Sequence, residues 1–178
     1  MDKYDILINI VDQLMGEAPS GYKRYYPDPK NIANLNQARA RVFIHLFLKV
    51  KFGINEFLER EEYITDGTND GGIDAYYIDE DNKTILFVQS KYRRTKDNFE
   101  NKVIELDEIL KMDTDRIVDG EEESEDGISY NGKIKNMLQK IRDIDDIGRY
   151  RYQVVILPNL KKEKYKMSQI KKLTGGFP

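Results

Sequence analysis

The chain has no cysteine, no tryptophan and a single histidine, His45. Without cysteine there is no disulfide framework, no thiolate metal site and no thiol nucleophile, and nothing argues for an oxidising compartment. One histidine is too few for an imidazole-based metal centre, and His45 lies beside the apolar stripe of its helix, where packing explains it. No run approaches the roughly 18 apolar residues of a membrane span, and the N-terminus lacks the basic-then-apolar layout of a signal peptide. A cytoplasmic location with no membrane partner is therefore expected. Charge of one sign is also lacking: 29 Lys and Arg face 32 Asp and Glu, for a net charge of −3. Phosphate affinity comes from clustered Lys and Arg, so such a chain is no indiscriminate coater of nucleic acid. The charges are unevenly placed, however, with acid gathered in Glu121–Asp126 and base in Lys161–Lys172. Local fields outweigh the sum, and composition neither supports nor excludes a nucleic-acid partner.

At 178 residues the chain suits one domain able to bury its own core. Ile6, Leu7, Ile10, Val11 and Leu14 share one helical stripe, which predicts a helix over 2–16 closed by Gly16 and Pro19. Asp28 as N-cap and Pro29 at the first helical position predict a second helix beginning there. Phe43, Leu46, Phe47 and Val50 give that helix an apolar face, and Gly53 ends it. A short helix over 54–60 and strands near 62–65, 73–78 and 85–91 follow, the last two joined by the turn residues 79–83. Phe99, Val103, Leu106 and Leu110 mark a further helix, and the acidic run reads as a solvated, mobile loop. Ile134, Met137, Leu138, Ile141 and Ile144 mark another helix, and 151–157 a strand apolar enough for a buried place in the sheet. The basic tail reads as the solvated face of a helix. The expected fold is α/β (α+β), with a mixed sheet flanked by helices.

The hairpin is where chemistry concentrates. Residues two apart on a strand share a face, so Gln89 and Lys91 lie side by side. Pairing of the two strands brings Asp74, at the start of the first, opposite the end of the second. An Asp carboxylate and a Gln amide oxygen are hard donors suited to Mg²⁺ or Mn²⁺, and an ammonium beside them suits a scissile phosphate. Asp66 and Asp70 sit in Asp-Gly and Asn-Asp-Gly-Gly sequences that form turns without any metal. Gly71 and Gly72 allow positive φ or close backbone approach, as a phosphate-contacting loop requires. Tyr92, Arg93 and Arg94 follow directly on the strand and are candidates for phosphate contacts. Tyr22, Lys23, Arg24, Tyr25 and Tyr26 would suit base stacking, but packing onto the domain explains them as well.

Asp74, fourteen intervening residues and then Gln89-Ser90-Lys91 resemble the motif of the PD-(D/E)xK nuclease superfamily in its Mrr-like Gln variant. Ile64-Thr65-Asp66-Gly67, Asn69-Asp70-Gly71-Gly72-Ile73-Asp74-Ala75 and Val88-Gln89-Ser90-Lys91-Tyr92 are more closely similar to the N-terminal part of abortive-infection phage-resistance (AIPR) proteins. The resemblance implies a restriction-endonuclease-like core with an extra N-terminal helix. It implies Mg²⁺ (or Mn²⁺) held by Asp74 and Gln89, catalytic assistance by Lys91, and endonuclease action, with DNA as the expected substrate, in phage defence. Many superfamily members add a Glu on the helix before the first strand, whereas Arg41-Val42-Phe43-Ile44-His45 holds no acid. Asp66, Asp70 and Glu62 are the candidates to replace it. The organisation expected is 1–30 as a helix and loop packed on the core, 31–160 as the nuclease-like domain and 161–178 as a basic tail opening a further segment. The competing reading is a nuclease-fold module without turnover, serving nucleic-acid binding or homodimerisation in a larger defence protein.

Overall fold

The computed structural model describes residues 2–102 and 112–158. The second half of the helix expected around Val103, Leu106 and Leu110, and the basic run from Lys161, lie outside the described residues. Within them the chain is α+β, and its residues group into two compact units. No helix among the described residues is long and apolar enough to cross a membrane.

The first unit is built from the residues up to Glu62 and from 90–102. Helix α1 (Lys3–Met15) starts at Asp2, whose carboxylate accepts the Asp5 N–H, and buries Val11 and Leu14. Helix α2 (Ile32–Phe52) starts three residues beyond the Pro29 expected at its first turn. Asp28 instead turns the chain, accepting from the Asn31 N–H through its carbonyl and from the Lys30 N–H through its carboxylate. Asn31 then caps the helix by accepting the Asn34 N–H. Gly53 ends α2 in the left-handed region, at φ 70°, as a C-terminal glycine does. Val11, Leu14, Ala18, Tyr25, Val42 and Phe57 form the apolar core, the last from the short helix α3 (Phe57–Glu62).

Beside that core lies a buried polar network that sequence reading does not reveal. Glu61 accepts from Tyr25 Oη at 2.5 Å and from Arg41 Nη2 at 3.0 Å, with His45 Nε2 at 3.1 Å. Arg60, fully enclosed, donates Nε to His45 Nδ1 at 3.2 Å, Nη1 to the Ile54 carbonyl at 2.9 Å and Nη2 to Glu17 at 2.5 Å. Arg60 has no lone pair to offer, so Nδ1 accepts and the ring proton of neutral His45 resides on Nε2, facing Glu61. Burial would raise the Glu61 carboxyl, but the hydrogen bonds from His45, Tyr25 and Arg41 hold it well below the usual range. Burial lowers His45, and Arg60 and Arg41 add to that against the pull of Glu61.

The second unit runs from Tyr63 to Gln89 and includes the described residues of 112–156. The strand expected over 62–65 reduces to one bridge, Ile64 to Ala75. Strand β1 (Ala75–Asp79) pairs antiparallel with β2 (Thr84–Lys91), Ala75 against Val88 and Asp79 against Thr84. Helix α4 (Lys96–Asn101) belongs to the first unit; α5 (Thr114–Val118), α6 (Gly132–Arg142) and the start of β3 (Arg151–Pro158) belong to the second. The sheet order is β1-β2-β3, so β2 is central and six of its eight residues are buried. Strand β3 is only half-buried, unlike the enclosed strand expected there, because it pairs on one side only among the described residues. Tyr76, Ile85 and Phe87 meet Ile134, Met137, Leu138 and Ile141 of α6 in the core.

The acidic segment is not the loose loop its composition suggests. Glu123 bridges Ser129, the Ser124 N–H reaches the Ile128 carbonyl, and the Tyr130 N–H reaches the Glu122 carbonyl. Arg142 donates to Glu122 and to the Gly120 carbonyl, and Arg116 donates to the Glu123 carbonyl. Arginine neighbours thus offset the repulsion that would otherwise spread the run.

His45 is the chain's one histidine, so it dominates side-chain titration just above pH 6. Its folded-state pKa is lowered, so acidification protonates the unfolded chain first and draws stability away. Glu61 has the same sign at lower pH, since its contribution is lost as pH falls below the unfolded carboxyl range. The melting temperature, followed by circular dichroism, should therefore fall on going from pH 7.5 to 6 and fall further towards pH 4.5. A melting temperature that rises over the first interval contradicts this account.

Candidate metal centre

The segment between Ile64 and Ala75 folds back on itself because its backbone finds partners within a few residues. The Thr65 and Asp66 N–H groups both donate to the Asp74 carbonyl at 3.0 Å, and the Asp74 N–H donates to the Val88 carbonyl at 2.9 Å. Thr65 Oγ1 closes the turn on the Ile73 carbonyl. Asp70 organises the middle: Oδ1 accepts the Gly72 N–H at 2.9 Å and Oδ2 the Gly67 N–H at 3.0 Å. Asn69, Gly71 and Gly72 all take positive φ, at 58°, 60° and 73°. Gly71 cannot be replaced cheaply, since a Cβ there would meet Ile117 Cδ1 and Tyr130 Cε1 at 3.1 Å. Its carbonyl also accepts the Asp113 N–H at 2.8 Å.

This turn gathers carboxylates. One oxygen each of Asp66, Asp70 and Asp74 lie within 4.8 Å of one another, Asp66 exposed and the other two half-buried. Burial pushes the Asp70 carboxyl up, and the Asp66 charge pushes the same way against the two N–H donors. A third N–H or a cation near Asp70 would relieve that cost. Each carboxylate oxygen carries two lone pairs, so the turn bonds of Asp70 leave it acceptor capacity.

Register decides what faces the cluster. The ladder ends with Ala75 against Val88, and the Asp74 N–H also turns onto the Val88 carbonyl, which places Asp74 just outside β1 at the end of the β1–β2 pair, where Gln89 follows Val88. Gln89 is 3% exposed, and its Nε2 donates to the Gly72 carbonyl at 3.3 Å. That contact fixes the amide, because the reverse orientation would set two carbonyl oxygens against each other. Gln89 Oε1 is left buried without a hydrogen-bond partner. An unsatisfied buried acceptor costs about 1–3 kcal/mol, which an ion or an ordered donor would recover. The three clustered carboxylates offer only oxygen donors, the chemistry of Mg²⁺, Mn²⁺ or Ca²⁺, and Gln89 is attached to the same turn through Gly72.

The remaining candidates are placed as follows. Lys91, half-buried, lies two residues beyond Gln89 on the same face of β2. Glu62 closes α3 and is not one of the three clustered carboxylates. Tyr92 packs its ring on Phe43 at 5.6 Å with its hydroxyl enclosed, and Arg93 is 7% exposed. Of that trio only Arg94 is exposed. In the 22–26 loop Tyr25 is fully enclosed and its hydroxyl belongs to the Glu61 network, so packing accounts for it. Sequence reading passed over Asn131, whose side chain reaches this turn; Asn-Gly before a helical stripe is its only signal. Comparison with protein-family models, curated proteins and solved structures yields no match to the chain.

Gly71→Ala should lower unfolding free energy by about 2–4 kcal/mol, combining left-handed backbone strain with overpacking against Ile117 and Tyr130. Denaturant titration checks this; a loss under about 0.5 kcal/mol would mean that the turn is not held as described.

Proposed function

We propose that the chain is a divalent-metal-dependent phosphodiesterase domain of the PD-(D/E)xK type, an endonuclease acting on DNA in AIPR-like defence against phage. The observation that carries the reading is Gln89 Oε1, buried and unpartnered on a side chain whose amide donates to Gly72 within the three-carboxylate turn. The resemblance of Asp74, Gln89 and Lys91 to the superfamily motif points the same way, and the α+β fold with its antiparallel β1–β2 pair is compatible with a restriction-endonuclease-like core.

In this reading Asp74 and Gln89 hold the ion. Asp66 and Asp70 supply the carboxylates absent from α2, where Arg41 and His45 serve the buried network instead. A bound Mg²⁺ or Mn²⁺ supplies Lewis-acid polarisation of phosphate and acidifies water. Lys91 presents its ammonium to a non-bridging phosphate oxygen, where its charge favours the more anionic transition state. Arg94, exposed just past β2, contacts the neighbouring backbone phosphate.

One observation favours a second reading, a nuclease-fold module without turnover: both oxygens of Asp70 are already engaged by N–H groups of its own turn. Calorimetric titration separates the two. Saturable Mn²⁺ or Mg²⁺ binding, abolished in Asp74→Ala and weakened about tenfold or more in Gln89→Leu, supports the enzyme. No saturable binding at millimolar metal leaves the module. Plasmid cleavage should be lost in Asp74→Ala and Lys91→Ala with unchanged far-ultraviolet dichroism, and equal cleavage by wild type and both variants would sink the catalytic assignment.

A further inference from the structure

The carboxylate turn is held from outside by a residue of no known motif. Asn131 is the N-cap of α6, and its Oδ1 accepts the Lys133 and Ile134 N–H groups, both at 3.0 Å. With the oxygen so engaged, the amide has one orientation, and Nδ2 donates to the Thr65 carbonyl at 3.3 Å and the Thr68 carbonyl at 3.2 Å. The Asn131 N–H donates to the Asn69 carbonyl at 2.9 Å. Two of these three carbonyls belong to the peptide groups that lead into Asp66 and Asp70. The other end of the Thr65–Asp66 peptide, its N–H, is fastened to the Asp74 carbonyl. Asn131 thus holds the peptide plane before each of two carboxylates and, through one of them, the residue bearing the third. It also secures Asn69 at a φ of 58°, a conformation that non-glycine residues adopt at a cost. Next to it, Lys133 Nζ donates to the Ile64 carbonyl at 2.8 Å, extending the attachment to the start of the turn.

We propose that Asn131 is the positioning residue of the metal centre: its side-chain amide, by fastening the Thr65 and Thr68 carbonyls, places the Asp66 carboxylate against the Asp70 turn and so sets the affinity for a divalent ion. This rests on the metal reading above. Asn131 touches neither ion nor substrate. Its effect is that of an outer-shell partner, whose loss typically lowers metal affinity 10–100-fold.

Serine separates the two jobs of Asn131, since its hydroxyl caps a helix as well as asparagine does but cannot reach the Thr65 and Thr68 carbonyls with two donors. Mn²⁺ is titrated calorimetrically into wild type, Asn131→Ser, Asn131→Ala and Asp74→Ala, with the metal-free melting temperature of each recorded. The expected result is an affinity about tenfold or more weaker in both Asn131 variants. The melting temperature should be nearly kept in Asn131→Ser and lowered in Asn131→Ala, which loses the cap as well. A metal affinity in Asn131→Ser within twofold of wild type, with binding abolished in Asp74→Ala, overturns the role of Asn131 and leaves the metal centre standing. Absence of saturable Mn²⁺ binding in wild type overturns the metal centre and this inference together.

Discussion

Three carboxylates within 4.8 Å repel one another, and the architecture of the second unit answers to that constraint. A turn carrying Asp66, Asp70 and Asp74 would spread if left to its own chain. It is instead tied at both ends and in the middle: to β2 through the Asp74 N–H, to α5 through the Gly71 carbonyl, and to α6 through Asn131 and Lys133. Burial chiefly, with a smaller push from the Asp66 charge, raises the Asp70 carboxyl against the N–H groups of Gly67 and Gly72. An apolar core of Ile73, Phe87, Ile134 and Met137 stiffens the elements that do the holding. Such a preorganised, under-compensated oxygen cluster is what a hard cation binds without costly rearrangement.

The first unit solves the opposite problem. One network there buries Arg41, Arg60, Glu61, His45 and Tyr25 and pairs them with one another. Each burial would be costly alone, and the network is tolerable because the charges alternate and every donor named above finds an acceptor. This explains why α2 offers no metal-binding acid: its inward polar residues, Arg41 and His45, are committed to Glu61 of α3. In the proposed reading, the turn supplies the carboxylates that α2 does not offer.

Much of this was legible in the residues. Period-3.6 stripes placed α1, α2 and α6, and turn chemistry at 79–83 joined β1 to β2. The differences have two causes, specific polar partners and burial, that local patterns do not carry. Asp28 looked like a helix cap but bonds its own turn, and the acidic 121–126 run looked loose but is held by Arg116 and Arg142. Tyr92 and Arg93 looked available for phosphate but are withdrawn by burial.

What the sequence determined by itself is the inventory and the local geometry: no cysteine, one histidine, the periodicities, and the two-residue step from Gln89 to Lys91. These follow from covalent order and the fixed repeats of helix and strand. Only the tertiary structure decided that Asp66 and Asp70 join Asp74, that Gln89 keeps a bare buried oxygen, and that the Asn131 side chain holds the turn from 63 and 66 positions away. Such contacts depend on three-dimensional closure, on which carbonyl meets which amide once the core has packed, and no local pattern encodes them.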